Sequence, residues 1–270
     1  MTTLPPGALP IERSAVRPRL LDPQSIIRFG LLALSTDLTS EGDLGILLGS
    51  SRTAIHVSRV PFANPTTPDS LAAMLPHLAA ATALLVPGVR LAAIAYSCTA
   101  ASVVIGDAVV EHTVRSIRPG IPVVTPAKAV RVACRALRVK RIAVVTPYNL
   151  ATSTTMAGYF IRHGIEIVGL QYLGLDDDRQ MARIAGQTII EAALAADSPD
   201  AEALFFSCTA LPALPVIAEI ERMAGKPVIT SNQASGWAMA RLGGLESDRP
   251  RGYGSLLDVE LTTEQWESEV

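Results

Sequence analysis

Two cysteines share one tetrapeptide: Ser97-Cys98-Thr99-Ala100 recurs as Ser207-Cys208-Thr209-Ala210. Each copy follows an apolar run that ends on an aromatic residue, Tyr96 in the first and Phe206 in the second. Both read as strand ends that lead into helices. Helix N–H groups at such a place favour an anion and lower a thiol pKa. Two thiols on opposite faces of one carbon can invert its configuration. One, as thiolate, removes the proton α to a carboxylate, and the other returns a proton from behind. The hydroxyls of Thr99 and Thr209, with the neighbouring amides, are the candidate carboxylate clamp. A single cysteine at a strand end is more often a small buried apolar residue. The recurrence of the whole motif is what favours chemistry. Cys134 has no matching motif and reads as helix core.

Further matches extend the repeat. Pro122-Val123-Val124-Thr125 recurs as Pro227-Val228-Ile229-Thr230, and the strand ending at Ser35-Thr36-Asp37 matches the one ending at Thr146-Pro147-Tyr148. The three offsets are 110, 105 and 111 residues, in one order along the chain, as a duplicated half would give. The patterning predicts strands over Ile26–Ser35, Thr53–Val60, Leu91–Tyr96, Pro122–Thr125, Arg141–Thr146, Ile165–Gly169, Ala201–Phe206 and Pro227–Thr230. Helices are expected over Asp69–Leu85, Ala101–Ile117, Ala127–Leu137, Thr152–His163, Asp178–Ala195, Leu211–Met223 and Gln233–Leu242. Strict alternation implies an α/β fold with parallel sheets, and ligands beyond the carboxyl ends of the strands. The expected architecture is two pseudo-symmetric lobes, each a four-stranded parallel sheet flanked by helices, with the active site in the cleft between them. Residues 26–125 plus 231–270 would form one lobe and 126–230 the other, after an N-terminal extension over 1–25.

Cys98 and Cys208 are the candidate catalytic pair. Ser35, Thr36, Asp37, Tyr148, Asn149 and Asn232 join Thr99 and Thr209 as candidate substrate-binding residues, and Gln233 is a weaker one. Asp176-Asp177-Asp178 reads as a helix N-terminal cap rather than a metal cluster. The histidines show no ligand spacing, and no glycine-rich phosphate loop is present, so neither metal nor nucleotide nor other cofactor is expected.

Composition narrows the classes. Apolar residues make up 49 % of the 270-residue chain and aromatics only 4 %, a diet of Ala, Val, Leu and Ile that suits buried parallel strands. The net charge is -2 and no basic stripe appears, which argues against nucleic acid. No apolar run reaches the ~18 residues that span a bilayer, and the Pro- and Arg-rich start lacks a signal-peptide core. An odd three cysteines point to reduced thiols and the cytoplasm. A homo-oligomer is left open.

These features resemble the aspartate/glutamate racemase superfamily over about Ile26 to Asp258, on the two Ser-Cys-Thr motifs, Thr146-Pro147-Tyr148, Lys226–Ser231 and Arg249–Gly254. The closing element is similar to the tail of its arylmalonate decarboxylase and maleate isomerase branch. Ala33–Ser40, Asn64–Pro68, Ala95–Asp107 and Thr230–Ser235 resemble the racemase-like protein of ectoine and hydroxyectoine utilisation. The resemblance implies catalysis by Cys98 and Cys208, a carboxylate-binding Tyr148 and no cofactor. Arylmalonate decarboxylases keep only the second cysteine. Maleate isomerases place an Asn where this chain has Ser35-Thr36-Asp37. The reading is therefore a cofactor-independent racemase or epimerase of a small carboxylate. A maleate-type cis-trans isomerase with a cysteine nucleophile and a non-catalytic two-lobed binding protein are its rivals.

Overall fold

The computed structural model describes residues 12–245 and 250–268. Its framework is two parallel sheets. The first holds β1 (Ile27–Leu34), β2 (Thr53–Val60), β3 (Ala93–Ser97) and β4 (Val123–Val124), in the order β2-β1-β3-β4. The second holds β5 (Arg141–Tyr148), β6 (Glu166–Leu175), β7 (Ala203–Phe206) and β8 (Val228–Thr230), in the order β6-β5-β7-β8. Adding four to each strand number turns one order into the other, so the duplication read from short motifs extends to the whole topology. The central strands β1, β3, β5 and β7 are buried along nearly their full length, as their unbroken apolar runs require.

The helices are α1 (Ser40–Leu48), α2 (Pro68–Ala72), α3 (Leu75–Ala83), α4 (Thr99–Ile105), α5 (Asp107–Ile117), α6 (Pro126–Ala136), α7 (Leu150–Arg162), α8 (Asp178–Met181), α9 (Gly186–Ala196), α10 (Ile217–Ala224), α11 (Ser231–Leu242) and α12 (Thr263–Glu267). Three expected helices are each split in two. The one over 101–117 breaks at Gly106, whose φ of +96° suits a residue without Cβ. The one over 69–85 becomes α2 and α3, and the one over 178–195 becomes α8 and α9. The helix expected from Leu211 starts only at Ile217, behind Pro212 and Pro215. Nothing in the sequence pattern announced α1. Gly42 and Gly45 weaken its propensity, and burial of Leu44, Leu47 and Leu48 holds it instead.

Strand β6 runs through Gly169 to Leu175 instead of stopping there. A Cβ at Gly169 would lie 2.4 Å from the Ala196 carbonyl oxygen, so this glycine permits a close approach and is not a terminator. After β8 the chain returns to the first sheet: α11 packs on α1 and α6 and against β3 and β4. Trp237 Nε1 donates to Val259 O at 2.8 Å, and Gln233 Nε2 to Tyr253 O at 2.7 Å, so α11 carries the tail. Arg249 of the closing motif and residues 1–11 of the expected extension lie outside the described residues. Among the described residues, no helix is long and apolar enough to cross a membrane.

Candidate active site

Sheet pairing sets the site. Ala33 pairs with Ser97, so the Ser35–Asp37 loop and the first Ser-Cys-Thr motif leave the first sheet side by side. Val145 pairs with Phe206, and Ser207 N donates to Val145 O at 2.9 Å, which brings Tyr148 beside the second motif. The two motifs then meet directly: Thr209 Oγ1 donates to Ser97 O at 3.2 Å. Thr99 Oγ1 donates to Ser231 Oγ at 2.7 Å, and that oxygen accepts from Cys208 N at 3.2 Å. The hydroxyl protons of Thr99 and Thr209 are thus committed to joining motif to motif. They are not the free carboxylate donors that the sequence led us to expect.

Both thiols are buried, Cys98 at 6 % and Cys208 at 7 % exposure. Cys98 is the N-cap of α4, in extended conformation, and its Sγ accepts from Ala101 N at 3.4 Å. Cys208 has a φ of +151°, which side-chain-bearing residues rarely adopt, and no helix follows it directly. Its Sγ accepts from Ala210 N at 3.3 Å and lies 4.0 Å from Met181 Sδ. Each thiol is pushed up rather than down. Burial outweighs the amide bonds, taking Cys208 to about 12 and Cys98 further still, where the charge of Cys208 adds to the rise. The expected depression at a helix N-terminus is overturned because desolvation is the larger effect. Cys134 is core, as expected, at 1 % exposure.

Tyr148, 2 % exposed, sets its hydroxyl beside the Cys208 thiol and the Ser207 side chain. Burial, then the two thiols, push the phenol well above its ordinary range. Among the described residues, Ser207 Oγ is fully buried and has the Tyr148 hydroxyl beside it without a hydrogen bond of normal geometry. A hydroxyl so placed in a native core calls for an explanation.

The other candidates surround the thiols in fixed roles. Asp37 holds the start of α1, accepting from Thr39 N at 2.8 Å, Ser40 N at 2.9 Å and Ser40 Oγ at 2.5 Å. Burial raises its pKa against those bonds. Ser35 Oγ ties the chain at Phe62 N and O. Asn149 caps α7 through Thr152 N and donates to Asp176 Oδ1 at 2.6 Å. Asn232 Nδ2 bridges Asp43 Oδ2 at 2.7 Å and Thr209 O at 2.9 Å. Burial lifts Asp43 to about 6. Thr36 Oγ1 donates to Asp178 Oδ2.

Asp178 is the residue that sequence reasoning missed. Asp177 does the capping that was expected of the acidic run, accepting from Arg179 N at 2.9 Å. Asp178 turns inward, at 5 % exposure, and its charge acts on both thiols. Three consecutive acids concealed which of them points in. A concavity of about 1010 Å³ lies at the opposite end of the first sheet around Arg28, Arg90 and Arg118, far from this chemistry. Among the described residues, no group of three or more His, Cys, Asp and Glu is placed to hold a metal ion.

The family model described as arylmalonate decarboxylase matches residues 67–257. Arylmalonate decarboxylase of Bordetella bronchiseptica is 33 % identical over 141 residues, 52 % of this chain and 59 % of that protein, so the aligned stretch spans little more than half of it. Maleate isomerase of Nocardia farcinica is 28 % identical over 228 residues, covering 80 % of this chain and 90 % of the relative. A solved Cys-to-Ser variant of the Nocardia farcinica maleate cis-trans isomerase, with a covalently bound succinylcysteine intermediate, superposes with a TM-score of 0.79. It is 26 % identical and covers 86 % of this chain and 98 % of its own. Since the matched stretch takes in both cysteine motifs and the tyrosine between them, the chain belongs to the arylmalonate decarboxylase family.

Proposed function

We propose that the protein is a cofactor-independent isomerase that racemises or epimerises a small carboxylate with two cysteines. The supporting observation is the gathering of two buried thiols with the buried hydroxyls of Tyr148 and Ser207. A carbon acid beside a carboxylate is far weaker than an ordinary thiol. A desolvated thiolate, whose conjugate acid is pushed up by burial, is a correspondingly stronger base.

In the proposed step one thiolate takes the α-proton and becomes a thiol. The carbanion-like intermediate then takes a proton from the other thiol on its opposite face, leaving that sulfur as thiolate. Tyr148, Ser207 and the amides at the start of α4 hold the carboxylate and the developing charge. Of the two sulfurs, Cys208 has the better support as an anion, because the Tyr148 hydroxyl and Ala210 N both stabilise it. Entry of substrate requires the halves to part, and we place the hinges where the chain passes from 125 to 126 and from 230 to 231. The resemblance to the racemase-like protein of ectoine utilisation makes a compound of that pathway the substrate we favour. The three free cysteines fit a reducing cytoplasm.

Covalent catalysis is the second reading, favoured by the succinylcysteine intermediate of the Nocardia farcinica relative. There a thiolate would add to a double bond and the second thiol would supply a proton. Proton NMR in deuterated water separates the two. Loss of the α-proton signal from a chiral carboxylate supports the racemase. Conversion of maleate to fumarate, with no exchange in any saturated acid, replaces it by the isomerase.

A further inference from the structure

We propose that the protein carries a second, non-catalytic binding site, at the amino ends of β1, β3 and β4, for an aliphatic carboxylate: one negative charge on a chain of methylenes. The thiols lie at the carboxyl ends of the same sheet, so a ligand here leaves the catalytic cleft empty.

Positive charge collects at this end without a counter-charge. The concavity of about 1010 Å³ is as large as pockets that hold small molecules. Arg28, Arg90 and Arg118 line it, and among the described residues no aspartate or glutamate does. Nor, among those residues, does any of the three arginines form an ion pair. Asp22 stands next to the lining residue Pro23, but it is exposed and its Oδ1 accepts from Gln24 N at 2.9 Å.

Main-chain oxygens fix two of the guanidiniums. Arg118 Nη1 donates to Leu85 O at 2.5 Å, and its Nη2 donates to Val89 O. Arg28 Nη1 donates to Pro23 O at 2.8 Å and to Ile26 O at 3.0 Å. A guanidinium has about five N–H donors, so each keeps some in reserve. Carbonyl oxygens orient these groups without neutralising them, and a carboxylate is the partner that matches such a fork.

The walls set the rest of the ligand. Ile27, Val89, Leu91, Ile117 and Leu242 line the same space, and Val89 and Ile117 are exposed although apolar. Among the described lining residues there is no aromatic ring and no hydroxyl. A nucleobase would find nothing to stack on, and a sugar would find no hydroxyl to pair with, whereas an aliphatic chain would cover apolar wall. The carboxyl end of α11, at Leu242 and Gly243, adds partial negative charge to one side. That suits a singly charged head better than a doubly charged phosphate.

The test is calorimetric titration with octanoate, octanol and acetate, which separates charge from chain. Octanoate should bind at least about tenfold tighter than octanol, which lacks the charge, and than acetate, which lacks the chain. Arg90→Glu and Val89→Asp, both at exposed positions, should each weaken octanoate at least about fivefold, with melting temperatures showing the variants folded. Octanoate that binds no tighter than octanol, or no tighter than acetate, overturns the proposal with the wild-type protein alone. Affinity retained in either folded variant overturns it as well, because the anion is then held elsewhere. If a second copy of the chain covers the concavity instead, octanoate fails to bind and sedimentation shows a dimer that Val89→Asp splits, which also overturns it.

Discussion

The two Ser-Cys-Thr-Ala segments are identical in sequence and different in backbone. The first runs from β3 straight into α4, and Cys98 is an extended N-cap. In the second, Cys208 has a φ of +151° and a loop to Leu214 follows. The cause lies in the next residues. Ala101-Ser102-Val103 continue a helix, whereas Leu211-Pro212-Ala213-Leu214-Pro215 cannot, since each proline lacks an N–H and disfavours helical geometry in the residue before it. Supports differ as well. Ser97 is tied through Ser40 to Asp37, while Thr209 is tied through Asn232 to Asp43. Duplication thus supplied two thiols, and divergence beside them gave the two unequal surroundings.

The largest expected effect concerns both thiols together. With Cys208 raised to about 12, its thiolate fraction at pH 7.5 should be roughly a thousandfold below that of a free cysteine. Iodoacetamide labelling followed by mass spectrometry should therefore be slow, with Cys208 modified before Cys98 and Cys134 not at all. Labelling of Cys98 first would invert the order we assign. Next is Tyr148→Phe, which removes a donor to Cys208 that Cys98 lacks. Turnover should drop about 10²-fold, with the loss concentrated on the enantiomer whose proton Cys208 removes. An equal loss for both enantiomers would place Tyr148 on the carboxylate alone.

Asp43→Asn probes the support of the second motif. The fold raises this carboxyl from 3.8 to about 6, so the neutral form is favoured there. Its stabilising contribution is complete below pH ~4 and is lost as pH climbs through 6. The variant should accordingly be more stable than wild type at pH 7, by about 2 kcal/mol, and no more stable near pH 4. Denaturant titrations at the two pH values check the sign. Smallest are Thr209→Val, which deletes the direct hydrogen bond to Ser97 O, and Thr99→Val, which deletes the link to the second motif through Ser231; each should cost about 1 kcal/mol. A negligible cost for either would mean that the joint is one-sided.

Much of this was legible in the sequence. Strand positions followed from apolar runs bounded by turn residues, and β2 falls on the expected residues. The repeat of Ser-Cys-Thr-Ala located both thiols, and the strand-end match located Tyr148. Other features depend on packing that no local pattern carries. Helix α1 forms despite two glycines because its leucines are buried. Gly169 sits inside a strand because its missing Cβ leaves room for the Ala196 carbonyl. The thiol pKa values go up because the halves close over them, whereas a motif read alone shows only the helix amides that would bring them down. Asp178 looked like its neighbours until folding turned one of three acids inward.

The central claim is that each thiol serves one face of one carbon. The decisive measurement is proton NMR of each separate enantiomer of a chiral carboxylate substrate in deuterated water, with wild type, Cys98→Ser and Cys208→Ser. Wild type should exchange and interconvert both enantiomers. Each variant should lose interconversion by at least about 10³-fold while exchanging the α-proton of one enantiomer only, and the two variants should choose opposite enantiomers. Interconversion by both variants at rates near wild type would contradict the account.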